Sequence, residues 1–415
     1  MQQHSSFRHT DYFKISKRIR HKTDWDDHIP LDFPEEGAEL YYLSYASANG
    51  HYLLGHQEYE CKTHGLSFTG HASAEGSSDN QIVENIHFQY PLLRERGSVS
   101  SSHRHGRVTL LLHGLNERSF GKYLPWAYHL WDKSGSPVLL FPLTFHVNRV
   151  LPAWGQQQMD SFKRRQQIKD NENVHRFNAV ISERLDAYPE RFFWGAIQSY
   201  WDLVDLARQI RAGLHTHIAA DARLDFVGYS AGGFLALLLL LENHEALFAN
   251  SRACLFSTCA AIRDLNLSSP FIVDGEAENR LMKFYVRHLE RSAGERMLHW
   301  LEEHGEGRWA RAFTGLLPDR GRLNARLSEL APRLLGFANP NDRVIPQGAM
   351  LNSLQGVLRD TGVRVEELAL GVHENPFSCA DHQQKERKFL TDFLDASLFG
   401  QAFCNFIEQI CAHFD

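Results

Sequence analysis

The chain has 415 residues, a formal net charge of −6 and 43% hydrophobic residues. This length is enough for a large buried core, in one enlarged domain or in two smaller ones. The weakly acidic balance excludes a global electrostatic field that would favour nucleic acid or an anionic membrane surface. The longest apolar run, residues 233–241, is far too short to span a bilayer. The N-terminal residues lack an apolar segment, which predicts no secretory signal.

The six cysteines lie far apart and show no C-x-x-C spacing. This pattern is typical of reduced core residues in a cytoplasmic protein, and it predicts neither a disulfide framework nor a zinc site. His103 and His105 could bind a metal, but no third ligand follows nearby in the sequence. We therefore predict no metal site.

The N-terminal third of the chain predicts exposed and antiparallel structure. The basic run at residues 14–22 is typical of a solvated face. Residues 38–60 and 81–91 contain short aromatic and β-branched stretches, and Asn49-Gly50 predicts a hairpin turn there. Residues 97–105 have the composition of a mobile loop.

Strands and helices then alternate. Residues 107–112 predict a strand that ends in His-Gly, Pro125 begins a helix that stops at Gly135, and residues 137–143 predict a second buried strand. A polar excursion over residues 144–193 and a helix over 195–212 follow. This order favours a parallel sheet with helices on both faces.

Polar residues at the start of the excursion are candidates for the site. Loops at the carboxyl ends of parallel strands form ligand sites in such folds. His146, Asn148 and Arg149 follow such a strand. The alternative is that they only fix the excursion to the core.

The most informative stretch surrounds Ser230. A short apolar strand ends at Val227, a leucine-rich helix occupies residues 233–241, and only G-x-S-x-G separates them. Such a junction must turn sharply, which requires small residues and leaves Ser230 strained and exposed at the helix N-terminus. The helix dipole and the N–H of Ala231 then face any negative charge that develops on a bound acyl group.

This junction resembles the nucleophile elbow of the α/β-hydrolase superfamily. The resemblance covers about residues 105–395 and implies a doubly wound, mostly parallel sheet. It divides the chain into an N-terminal extension with opening antiparallel strands (1–105), a catalytic domain (106–400) and a C-terminal helix (401–415). The motifs H-G-L-N-E-R-S and G-V-H-E-N-P resemble a little-described bacterial group within the superfamily.

The resemblance also implies the remaining site residues. The backbone N–H of Leu115, after His-Gly, is the expected second oxyanion donor beside Ala231. Asp342, in the turn before Val-Ile-Pro, is the expected acid, and His373, after the last strand, is the expected base. Asp264 and His382 are the alternatives for these two roles.

An insertion and a set of substrate contacts complete the prediction. Amphipathic helices at about residues 264–329 are expected to form a lid over the site, and ordinary packing without gating is the alternative. The residues expected to contact substrate are Asn116, Tyr229, His146 and Arg149.

These residues together predict a serine hydrolase. His373 accepts the proton of Ser230 as it attacks a carbonyl carbon, and Asp342 orients the imidazole. We expect a cytoplasmic enzyme that cleaves a small carboxylic ester or thioester through an acyl-enzyme, without metal or organic cofactor, nucleic acid or integral membrane. The alternatives are an acyltransferase or peptidase with the same triad, and a non-catalytic binding protein that keeps the fold.

Overall fold

The computed structural model describes residues 31–33, 37–70, 78–97, 105–314, 320–368, 371–377 and 391–415. A nine-stranded sheet lies at the centre, and a two-stranded ribbon lies outside it. The strands are β1 (Leu31–Phe33), β2 (Ala38–Ala46), β3 (Tyr59–Cys61), β4 (Leu66–Phe68), β5 (His87–Glu95), β6 (His105–Leu112), β7 (Val138–Phe141), β8 (Ile218–Tyr229), β9 (Ala253–Phe256), β10 (Leu334–Ala338) and β11 (Arg364–Glu367).

The sheet has the order β1-β2-β5-β7-β6-β8-β9-β10-β11, and β3 pairs only with β4. The pairs β1/β2, β2/β5 and β5/β7 are antiparallel. All pairs from β7 to β11 are parallel. This confirms the expected fold class: the chain has the α/β-hydrolase fold.

Thirteen helices accompany the sheet in the described part of the chain. They are α1 (Val83–Ile86), α2 (Leu124–Ser134), α3 (Pro152–Gln166), α4 (Ala179–Ala187), α5 (Glu190–Arg211), α6 (Ala231–Glu242), α7 (Gly275–Met282), α8 (Leu289–Ser292), α9 (Glu295–Glu303), α10 (Gly305–Ala312), α11 (Arg320–Leu330), α12 (Gln347–Leu354) and α13 (Thr391–Phe414). A π-helical turn, Lys283–Arg287, lies between α7 and α8. Among the helices of the described residues, none combines the length and the apolar character that a membrane span requires.

Two hydrophobic cores lie on opposite faces of the sheet. Alternation along β6 sends Leu110 to one core and Leu111 to the other. The first core contains α5, α6 and the helices after β9, and the second contains α2 and α13. Burial on both faces explains why the central strands are continuous apolar runs.

The predicted hairpin at Asn49-Gly50 is wrong. Strand β2 ends at Ala46 and pairs with β5, so residues 47–86 form a long connection that includes the β3/β4 ribbon. The Asn49 side chain instead donates hydrogen bonds to Asp202 (3.0 Å) and Asp205 (2.8 Å). A turn-forming pair therefore fixes the connection to helix α5.

Two predicted boundaries fall inside single elements. Residue 105 begins β6, and residues 400 and 401 both lie in α13. The antiparallel strands from the first hundred residues belong to the same sheet as the parallel strands. The basic run at residues 14–22, His103 and His382 lie outside the described residues.

Candidate active site

The turn at Ser230 joins β8 directly to α6. Ser230 has φ 53° and ψ −121°, a positive-φ conformation that is strained for a residue with a side chain. A Cβ at Gly228 would collide with the Cα of Gly233, and one at Gly232 would collide with the carbonyl of Leu112. The small residues of the motif are therefore required by the close approach of strand and helix.

Ser230, His373 and Asp342 come together at the carboxyl edge of the sheet. The Nε2 of His373 lies 3.0 Å from the Oγ of Ser230, and its Nδ1 lies 2.7 Å from the Oδ2 of Asp342. All three residues are buried, with exposed fractions of 8%, 4% and 5% for Ser230, His373 and Asp342, so the expected exposure of Ser230 is wrong. The arrangement allows a proton to pass from the hydroxyl to an imidazole that a carboxylate orients.

The loop after β10 fixes the Asp342 carboxyl group. Its Oδ1 accepts hydrogen bonds from the backbone N–H groups of Val344 (2.9 Å) and Ile345 (2.8 Å), which directs Oδ2 at His373. Asp264, the alternative acid, lies 3.5 Å from the guanidinium of its neighbour Arg263.

The loop after β6 presents one backbone N–H to the site. The N–H of Gly114 donates to the Tyr123 hydroxyl (3.0 Å), and that of Asn116 donates to the Nε2 of His146 (2.8 Å). The N–H of Leu115, between them, and that of Ala231, the first residue of α6, have no acceptor among the described residues. Both Leu115 and Ala231 line the cavity at Ser230.

A cavity of about 400 Å³ opens from Ser230 into the space under the inserted helices. It lies between the elbow, the excursion after β7 and the insertion after β9. Its apolar lining includes Leu143, Phe145, Val180, Ile181, Leu185, Phe192, Phe193, Phe234, Leu238, Ile272, Met297, Leu301 and Phe313. Residues of the insertion between Leu265 and Thr314, including Met297 and Leu301 of α9, therefore form part of the cavity wall.

Two of the four residues predicted to contact substrate line this cavity: Asn116 and His146. The Asn116 amide donates to the carbonyls of Phe177 (3.0 Å) and Phe271 (2.7 Å), so it links the excursion to the insertion. His146 donates from Nδ1 to the Thr144 carbonyl (2.7 Å) and accepts at Nε2. Burial, helped by nearby His113, lowers the pKa of His146 to about 3, consistent with this neutral form.

Arg149 and Tyr229, the other two residues predicted to contact substrate, do not line the cavity. Arg149 is fully buried, pairs with Asp202 at 2.8 Å and does not line the cavity. Asn148, on the same turn, donates to the Gln89 carbonyl (2.8 Å) at the surface. Arg149 pairs with a buried carboxylate, and the Asn148 amide binds a carbonyl within β5. Both contacts fix this turn to the rest of the fold, which was the alternative role.

Tyr229 instead supports the loop of His373. Its hydroxyl donates to the His373 carbonyl, and its ring stacks on the imidazole with centroids 5.3 Å apart. Its side chain points to the second core, since residues along a strand alternate between faces. The sequence already indicated this orientation, because Tyr229 is the last strand residue before Ser230 and adjacent positions face opposite sides of the sheet.

The two motifs H-G-L-N-E-R-S and G-V-H-E-N-P meet through Lys122. Its ammonium forms an ion pair with Glu117, donates to the Glu374 carbonyl (3.1 Å) and lies 4.8 Å from the centre of the Tyr229 ring. Sequence reasoning missed Lys122, and of its contacts only the one to the Glu117 carboxylate had a signal in the motifs.

A family model covers residues 12–400 and is described as a family of unknown function (DUF6051). The chain belongs to this family. No curated protein sequence matches it.

Solved structures with a similar backbone fold include several esterases. A thermostable esterase from Pseudomonas putida is 12% identical with a TM-score of 0.43, over 97% of this chain and 90% of that one. A hyperthermophilic esterase from Pyrobaculum calidifontis is 10% identical with a TM-score of 0.45, over 99% and 91%. Brefeldin A esterase, a bacterial homologue of human hormone-sensitive lipase, is 12% identical with a TM-score of 0.45, over 99% and 86%. Likeness at this level says nothing about the substrate of this DUF6051 member.

Proposed function

We propose that this chain is a serine hydrolase that cleaves a small carboxylic ester or thioester. The observation that supports this most strongly is the hydrogen-bonded series from Asp342 through His373 to Ser230, built on a strained elbow. A serine held only for stability would not need a left-handed backbone, an imidazole and an oriented carboxylate at once.

In the proposed reaction, Ser230 Oγ attacks the carbonyl carbon while His373 Nε2 takes the hydroxyl proton. The oxyanion accepts hydrogen bonds from the N–H groups of Ala231 and Leu115, which have no other acceptor among the described residues. Collapse of the tetrahedral intermediate expels the alcohol or thiol, which leaves with the proton from His373. Water then attacks the acyl-enzyme with His373 as base, and the carboxylic acid is released.

The cavity suggests the substrate class. Its lining is mostly apolar, which suits an acyl or alcohol group with little charge. Two of its arginines already have a carboxylate partner, because Arg184 and Arg191 bind the buried Asp79 at 2.9 and 2.8 Å. The helices over the cavity are the proposed lid. The buried free cysteines of the described residues fit the proposed cytoplasmic location.

The test is labelling by a fluorophosphonate followed by peptide mass mapping. We expect one modified residue, Ser230, and loss of labelling in Ser230→Ala but not in Ser328→Ala, a surface control on α11. Turnover of a short aryl ester should fall on the order of a millionfold in Ser230→Ala or His373→Ala, and about ten-thousandfold in Asp342→Asn.

Other outcomes distinguish the alternatives. An unlabelled, folded protein without turnover would indicate a non-catalytic binding protein. Labelling of Ser230 with acyl transfer to an added alcohol or amine in preference to water would indicate an acyltransferase.

A further inference from the structure

Four side chains of metal-ligand type converge on the far side of the inserted helices. They are Cys61, His64, His299 and His304, and their ligand atoms all lie within 4.8 Å of one another. None of them lines the cavity at Ser230. Cys61 ends β3, and His64 lies in the turn before β4. His299 lies in α9, and His304 immediately precedes α10.

The distances fit one small ion. Cys61 Sγ lies 3.4 Å from His64 Nδ1 and 3.3 Å from His304 Nε2. Bond lengths of about 2.3 Å to sulfur and 2.0–2.1 Å to nitrogen place neighbouring donors of a tetrahedral zinc site roughly 3.3–3.6 Å apart. The two closest pairs therefore already have the required separation, and the remaining donors are within a short side-chain adjustment of it.

Hydrogen bonds among the four side chains do not explain why they lie so close together. A thiol has one proton, so it can donate to only one of its two imidazole neighbours, and sulfur is a weak acceptor for the other. The Nε2 of His299 is buried and has no hydrogen-bond partner among the described residues. Three imidazoles and a thiol thus lie together with fewer hydrogen bonds than they can form, which one shared cation would correct.

The spacing of the four residues along the chain also indicates a metal site. Cys61 and His64 form C-x2-H, and His299 and His304 form H-x4-H. Structural zinc sites commonly take two ligands from each of two short segments with such spacings. The side chains are also held in place: the His304 ring stacks on Trp300 with centroids 3.5 Å apart and an interplanar angle of 5°.

We propose that Cys61, His64, His299 and His304 bind a structural Zn²⁺ ion. One thiolate and three neutral imidazoles complete a tetrahedral shell, which leaves no open position for a substrate or for water. Binding converts the Cys61 thiol to a thiolate and releases one proton. The ion would join the β3/β4 ribbon to α9, the helix whose Met297 and Leu301 line the cavity. Helix α9 would then be held against the ribbon, and any lid movement would occur in other parts of the insertion.

The first measurement is metal content, by inductively coupled plasma mass spectrometry on untagged full-length protein after zinc loading and dialysis. We expect about one zinc per chain, as for a closed four-ligand site. His64→Ala should lose most of the zinc without unfolding, because His64 is exposed in the ribbon turn. The matched control is His56→Ala, an exposed histidine eight positions before it in the same connection, which should keep the zinc.

Cobalt provides a second, spectroscopic readout. Replacement of zinc by Co²⁺ should give the visible bands of tetrahedral cobalt together with a thiolate charge-transfer band, and Cys61→Ser should remove the latter. Circular dichroism reports whether each variant is folded. If Cys61→Ser does not fold, reversible loss of the charge-transfer band on chelation of the unaltered protein provides the same information.

Zinc-free protein after loading would overturn the proposal, and so would full zinc content in His64→Ala. Stoichiometric copper or iron in place of zinc would overturn the assignment of the metal. None of these readouts depends on ester hydrolysis, so the zinc proposal and the proposed function can fail independently.

Discussion

Replacement of Arg149 by methionine distinguishes a structural cation from a substrate-binding one. Arg149 and Asp202 are fully buried and paired at 2.8 Å. Burial raises the pKa of Asp202, which the Arg149 charge opposes. Asp202 also accepts hydrogen bonds from Ser47 (2.5 Å) and Asn49 (3.0 Å), so the pair joins the segment after β2 to α5.

The size of the effect follows from these contacts. Arg149→Met leaves Asp202 buried without its cation, a change that typically costs about 3–5 kcal/mol. The Pro142 carbonyl, which accepts from Arg149 at 3.1 Å, loses that donor. The Asn85 carbonyl keeps a second donor in Gln198, at 3.1 Å. We therefore expect about 4 kcal/mol lower stability, within the range for breaking a buried pair.

The assay combines urea unfolding with ester kinetics normalised to the concentration of fluorophosphonate-reactive sites. We expect a large fall in the urea midpoint, with kcat and KM per titrated site within about twofold of the unaltered protein, since Arg149 does not line the cavity. Asp202→Asn in the Arg149→Met background should restore part of the stability, because neighbouring residues couple by roughly 0.5–3 kcal/mol.

The control is Arg118→Met. Arg118 is exposed and does line the cavity, and its loss should leave the free energy of unfolding within about 0.5 kcal/mol. An unchanged urea midpoint with a tenfold higher KM in Arg149→Met would refute the structural assignment.

Three further predictions follow from other contacts. Tyr229→Phe should lower kcat more than it raises KM in ester kinetics, because the hydroxyl holds the His373 carbonyl, and an equal kcat would contradict this. Without zinc, burial raises the pKa of Glu306 to about 7 from the ordinary 4.5, so the folded chain holds this proton more tightly than the unfolded chain. The stability of zinc-free protein should therefore fall as the pH rises from about 4.5 to 7. In zinc-free protein, Glu306→Gln should raise the free energy of unfolding by up to about 3 kcal/mol at pH 8 and by little at pH 4, whereas a pH-independent effect would contradict the assignment. Leu301→Ala, in the cavity wall, should shift the preferred acyl chain length towards longer esters in a substrate series, and an equal loss on all chain lengths would indicate a role in stability alone.

Local patterns predicted the elements that surround the elbow. The strand, turn and helix around Ser230 are determined by residues within about a dozen positions, namely glycines that allow close approach and leucines that fill a buried helix. The loop of Asp342 follows the buried strand β10, and the loop of His373 follows β11, whose residues are exposed or half-buried. The parallel sheet then brings these loop ends to one edge, and the structure finds the three side chains within hydrogen-bond distance.

Long-range partners were not predictable in this way. The turn at Arg149 gave no indication that Asp202, 53 positions later, would neutralise it. Cys61 and His304 are 243 positions apart, so each half of the proposed zinc site was too short to be recognised as a ligand pair. Asn49-Gly50 matched a hairpin pattern, but two aspartates of α5 compete for its side chain. In each case the sequence did not reveal which distant residue the fold would place beside the residue in question.

Two buried histidines explain how the loop after β6 shapes the proposed oxyanion site without a run of glycines. His113 donates from Nδ1 to the Gly114 carbonyl (2.8 Å) and accepts at Nε2 from the N–H of Leu143 (3.0 Å), and burial lowers its pKa to about 4. His146 makes the reciprocal link, because its Nε2 accepts from the N–H of Asn116. Each ring must stay neutral to accept, and burial keeps it so at neutral pH. Two neutral imidazoles therefore join this loop to the loop after β7, and the N–H of Leu115 lies between the two fixed amides of Gly114 and Asn116.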